Sequence, residues 1–141
     1  NLATSEPYIG MGWRMHVFSW CIHQAINISG DLLELGTFRG FKMKFILDYF
    51  NSLLQDRSIY LFDTFAGIDP NQSEGSPITQ NEHNKEKLYE YVIDRFKSYA
   101  NVTIVKGSAP SSLENIPIND ISFIHLDMNS WKAEVSSLDI L

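Results

Sequence analysis

Four short apolar runs, each closing on a glycine or an aspartate, limit what this chain can fold into more than any other feature. They are Asp31–Leu35 before Gly36, Ser58–Phe62 before Asp63, Val102–Val105 before Lys106-Gly107, and Ile121–Leu126 before Asp127. Segments with apolar spacings of three and four surround them. Phe41 to Leu54 carries Phe41, Phe45, Ile46, Tyr49, Phe50, Leu53 and Leu54, which predicts a helix with that face inward. Gly12 to Ile28 carries Trp13, Val17, Phe18, Trp20, Cys21, Ile22, Ala25 and Ile26, which predicts a helix buried on a broad face and stopped by Ser29-Gly30. Leu88, Tyr91, Val92 and Phe96 mark a third helix, and Trp131, Val135 and Leu138 a fourth. Nearly continuous apolar strands are strands covered on both faces. Alternating with helices, they predict an α/β fold, a Rossmann-like doubly wound parallel sheet.

At 141 residues the chain is expected to hold one domain, with residues 1–29 as an N-terminal helical segment and 30–141 as the α/β part. The apolar share of 44% excludes a disordered tail, and the net charge of −6 argues against nucleic acid or an anionic membrane as partner. No apolar run reaches the ~18 residues of a membrane span. A single cysteine, Cys21, excludes a disulfide framework and fits a reducing, cytoplasmic setting. The N-terminus shows neither an initiator Met nor a signal-peptide pattern, so a processed product or a fragment is expected. Residues 69–84 turn polar and are expected to form a mobile lid loop, with Thr79-x-x-Glu82 or Asn81 capping the next helix.

Open parallel sheets bind ligands beyond the carboxyl ends of their strands. Gly36–Gly40, Asp63, Gly107-Ser108 and Asp127 would share that rim. Gly36 would turn the backbone close to a ligand and Gly40 would open the helix beneath, although an ordinary strand-to-helix turn also favours glycine. Two glycines four apart fall short of the three in a G-x-G-x-x-G fingerprint, which counts against an NAD-type oxidoreductase. Asp63 could accept both hydroxyls of a ribose or cap the turn that starts at Thr64. His125 and Asp127, two apart on a strand, would share a face. They suggest an acid–base or metal pair, or a histidine satisfied in the core. Arg14 and Arg39 could reach anionic groups or simply be solvated.

Taken together, Leu33-Glu34-Leu35-Gly36-Thr37-Phe38-Arg39-Gly40, Leu61-Phe62-Asp63-Thr64-Phe65-Ala66-Gly67 and Phe123-Ile124-His125-Leu126-Asp127 resemble the class I S-adenosylmethionine-dependent methyltransferases. More narrowly, they resemble the macrocin O-methyltransferase (TylF-like) family. The resemblance implies S-adenosylmethionine as cofactor, with Glu34, Gly36, Thr37 and Gly40 around its methionine moiety. Asp63 would hold the ribose, Thr64 and Phe65 would lie by the adenosine, and Gly107 and Ser108 by the adenine. It implies a small-molecule hydroxyl acceptor, such as a natural-product sugar, and for several members Mg²⁺, with Asp127 as metal ligand and catalytic carboxylate. Two departures stand out. A second carboxylate is expected two residues after Asp127, where Asn129 stands, and only about four of the seven strands of such a fold are placed. The C-terminal part is therefore expected to be truncated, leaving strand four with an open edge that invites a homo-oligomer. The rival reading is a non-catalytic fragment that keeps the cofactor pocket.

Overall fold

The computed structural model describes residues 11–73, 85–118 and 120–141. Its elements are α1 (Met11–Ala25), β1 (Asp31–Leu35), α2 (Phe41–Leu54), β2 (Ile59–Asp63), α3 (Lys85–Phe96), β3 (Val102–Lys106), β4 (Ile121–Leu126) and α4 (Trp131–Leu138). The expected caps at Thr79, Asn81 and Glu82, and the lid beyond residue 73, lie outside the described residues. All strands pair in parallel, in the order β3-β2-β1-β4. The chain thus steps outward from β1 through β2 to β3, then returns to the other side of β1. That reversal puts the topological switch point between the carboxyl ends of β1 and β4.

The period-two alternation of the strands sorts the core into two layers. Leu32, Ile59 and Leu61 face α1, α2 and α3, where they pack with Phe18, Ile22, Met43, Ile46, Leu47, Val92 and Phe96. Leu33, Leu35, Tyr60 and Phe62 face the other way, onto Ala109 and Leu113 of the non-helical connection between β3 and β4. Arg57 ties the amino ends of the sheet together. Its guanidinium donates to the carbonyls of Ile26 (2.5 Å), Ile28 and Gly30 (3.2 Å), and to Ser122 Oγ (3.1 Å). One forked cation thereby satisfies the carbonyls left over where α1 gives way to β1.

Three expectations about helix faces need correction. In α1 only Phe18, Ile22 and Ala25 are buried, while Trp13, Val17 and Trp20 are exposed, so the inward face is a narrow line. In α2 the buried row is Met43, Ile46, Leu47 and Leu54, whereas Tyr49 and Leu53 face solvent. The helix has two adjacent apolar rows, and the sheet takes the aliphatic one. The aromatic row stacks partly on itself, with the Phe45 and Tyr49 rings 4.6 Å apart. In α4 the small residues Ala133 and Ser137 point inward, and Trp131, Val135 and Leu138 point out. The expected open edge is present: among the described residues β4 has a neighbour on one side only.

Candidate functional site

Gly36 is dictated by the protein's own backbone. It has φ +90°, and a Cβ there would lie 2.2 Å from the Asp127 carbonyl oxygen. Any side chain would drive the end of β1 away from the end of β4, so the glycine sets the width of the switch point. Gly40 is explained in the same way, since its Cβ would lie 2.4 Å from the Phe96 ring. Gly36 thus packs closely on the Asp127 backbone, and Gly40 on the Phe96 ring.

Asp63 joins the two turns on either side of it. One carboxylate oxygen accepts the Phe38 N–H (2.7 Å) and the other the Phe65 N–H (2.7 Å). Phe38 and Phe65 both have positive φ, 52° and 51°, which bulky residues rarely adopt. Two charge-assisted bonds from one carboxylate offset that strain and hold the Gly36–Gly40 turn beside the Thr64–Gly67 turn. Each oxygen keeps a further lone pair, and Asp63 is only half-buried, so turn-holding and acceptance of two ligand hydroxyls are compatible. Next to it, Gly107 N–H donates to the Asp63 carbonyl (3.0 Å), and Ser108 Oγ donates to Gln72 Oε1 (3.4 Å). Gln72 also donates to the Ala109 carbonyl (2.8 Å) and accepts the Ser130 hydroxyl at its own carbonyl (2.7 Å). The described start of the 69–84 loop is thus stitched to the ends of β3 and β4.

At the switch point four ionisable side chains converge. Lys42, in the first turn of α2, places Nζ 2.6 Å from Asp127 Oδ2, 3.4 Å from His125 Nε2 and 3.8 Å from Glu34 Oε1. His125 Nδ1 lies 3.4 Å from the same Glu34 oxygen, and the Phe18 ring closes over the imidazole edge-on at 5.0 Å. Glu34 is fully buried, and among the described residues neither of its carboxylate oxygens has a hydrogen-bond partner. Burial works to raise the Asp127 pKa, but the hydrogen bond and charge of Lys42, helped by the charges of His125 and Arg14, hold it below the usual carboxylate range.

The expected residues therefore divide. Gly36, Asp63, Thr64, Gly107, Ser108 and Asp127 line the rim with some exposure. Glu34, Thr37, Gly40 and Phe65 are buried. Thr37 Oγ1 donates to the Glu34 carbonyl (3.3 Å), and the Phe65 ring packs 5.1 Å from Tyr89. His125 and Asp127 do share a face, but Lys42, which joins them, was not anticipated. The signal was there: a lysine in a helix's first turn opposes the helix dipole and calls for a compensating acid. Asn129 has φ 56°, a left-handed conformation that asparagine tolerates well, and it tightens the turn from β4 into the Ser130 cap of α4. A surface hollow of about 370 Å³ lined by Asn51, Gln55, Ser98, Tyr99, Ala100 and Asn101 lies at the opposite, amino ends of the strands, away from these groups.

Magnesium prefers several oxygen ligands in an octahedron. Around Asp127 the chain offers one carboxylate already held by an ammonium, and among the described residues no three His, Cys, Asp or Glu side chains are grouped to hold a metal. The donor set does not fit that ion.

The family model described as macrocin-O-methyltransferase (TylF) matches residues 5–141. Two solved structures are similar in fold. The O-methyltransferase NovP is 23% identical with a TM-score of 0.68, covering 91% of this chain and 58% of its own. CalS11, a calicheamicin methyltransferase, is 16% identical with a TM-score of 0.68, covering 93% of this chain and 59% of its own. The chain thus spans less than two thirds of either. No curated protein matches it.

Proposed function

Because the chain belongs to the macrocin O-methyltransferase (TylF) family, we propose that it binds S-adenosylmethionine at the rim of Gly36, Asp63 and Gly107-Ser108 and serves methyl transfer to a hydroxyl of a small molecule. A sugar or natural-product-like small molecule is the acceptor class we favour, since NovP is an O-methyltransferase and CalS11 acts in the calicheamicin setting its name states. The observation that carries the reading is Asp63. It is a half-buried carboxylate at the end of β2, one strand from the switch point, with two strained turns held on its oxygens and lone pairs left over. We take the setting to be cytoplasmic, in keeping with the single cysteine, and note that no helix among the described residues is long and apolar enough to cross a membrane.

When bound, S-adenosylmethionine supplies a methyl group on a good leaving group, so alignment and management of the acceptor's proton remain for the protein. Asp127 lies where an acceptor hydroxyl would be held. Its depressed pKa keeps it ionised at neutral pH, able to accept a hydrogen bond but a weak base. Asn129, an amide, adds no base. That shortage favours the second reading, a cofactor-binding chain without turnover of its own.

Calorimetric titration with S-adenosylhomocysteine and, separately, NAD tests the binding half. S-adenosylhomocysteine should bind and NAD should not, and Asp63→Ala should lose roughly 2–3 kcal/mol of affinity with the two hydroxyl bonds. Unchanged affinity in that variant removes Asp63 from the site. Transfer of labelled methyl to sugar and phenol hydroxyls then separates an enzyme from a silent binder.

A further inference from the structure

We propose that Lys42 is the built-in cation of the switch point: its ammonium fixes Asp127, balances the buried Glu34, and occupies the place a divalent ion would need.

A fully buried carboxylate without a hydrogen bond is costly, and a cation nearby lowers that cost. For Glu34 that charge is Lys42, 3.8 Å away, with the His125 ring at 3.4 Å. Glu34, His125 and Asp127 all point at Nζ, from two neighbouring strands whose register puts Glu34 opposite His125. Each of the three thus approaches a point already filled by an ammonium. Lys42 itself stands where the helix dipole disfavours a cation, and α2 has no acidic residue in its first turn to offset it. A local rule is broken at this position, and the two carboxylates across the sheet end are its compensation. Arg14 adds positive field at Asp127. A dication at the carboxylate would meet this positive charge at contact distance and would have to displace Nζ from its 2.6 Å bond.

The role is one of positioning: Lys42 sets the orientation and charge of Asp127. It rests on the reading that Asp127 faces the acceptor, but its test does not require turnover. NMR spectra of the lysine ammonium groups and the backbone amides of the 141-residue chain would be recorded while Mn²⁺ is added to millimolar levels. In the wild type we expect a slowly exchanging Lys42 ammonium signal that shifts in Asp127→Asn, and no selective broadening of the 125–129 amides. In Lys42→Met the three groups lose their cation, and Mn²⁺ should broaden those amides; Lys42→Arg should restore the wild-type response. Selective broadening in the wild type overturns the proposal, as does a Lys42 ammonium that exchanges like a solvated one. The wild-type and Lys42→Arg spectra decide the matter even where Lys42→Met fails to fold. Titration of the same samples with S-adenosylhomocysteine keeps the two readings apart: lost cofactor binding with an intact Lys42 signal refutes the methyltransferase reading alone.

Discussion

The middle of the sheet and its β4 flank are built from equally apolar segments yet end in different states. In β1 and β2 every residue is buried except the first of one and the last of the other, and α1, α2 and α3 seal one face. In β4 every residue is only partly buried, and the helix that follows presents Trp131, Val135 and Leu138 to solvent. Apolar composition makes a strand or a helix; a neighbour on each side makes it core. The ionic cluster sits on the seam between the two regions, where Glu34 is sealed and Asp127 is 40% exposed. One pole of the cluster is therefore structural, and the other is open to a ligand.

The seam itself is the place to break this contrast most severely. Gly36→Ala would force a Cβ against the Asp127 carbonyl at a φ unsuited to alanine. Adding about 1–3 kcal/mol of backbone strain to about 1–3 kcal/mol of overpacking predicts a loss near 4 kcal/mol, read by urea denaturation. Wild-type stability in that variant would mean that the ends of β1 and β4 are not in contact.

Within the sealed middle, Leu61→Ala should cost roughly 2–5 kcal/mol, because Leu61 is wholly buried between the sheet and its helices. On the flank, Val135→Ala should stay within about 0.5 kcal/mol, since that side chain is about half exposed. Equal losses in the two variants would show that the outer face of α4 is covered in solution.

A smaller effect concerns the open pole. The folded-state pKa of Asp127 is depressed, so its pairing with Lys42 stabilises the fold at pH above the ordinary carboxylate value. That contribution fades as pH falls through the lower folded value. With the carboxylate 40% exposed, it amounts to about 1 kcal/mol or less. Asp127→Asn should therefore be less stable than the wild type at neutral pH, and the gap should close as pH falls through the lowered folded-state value. A gap that stays constant with pH would separate Asp127 from Lys42.

How far the sequence could be read depended on the range of the interaction. The four helices and four strands were legible because apolar period is local, and the rim followed because parallel strands carry their carboxyl ends to one side. The inward faces of α1, α2 and α4 were not, since each helix offers more apolar surface than one neighbour covers. Asp63 was legible as a rim carboxylate, but its grip on Phe38, 25 residues earlier, depends on two turns meeting in space.

By itself, then, the sequence determined the alternation of elements, the parallel sheet and the residues at its strand ends, all through contacts along the chain or through topology. Only the tertiary structure decided that Gly36 is needed for Asp127, that Glu34 is sealed from solvent, and that Lys42 stands between Glu34, His125 and Asp127. Lys42 and Asp127 are 85 residues apart, and no periodicity reaches that far. Their pairing exists because β4 crosses back to lie beside β1 under the first turn of α2, which brings opposite charges to a partly desolvated place where each lowers the cost of the other.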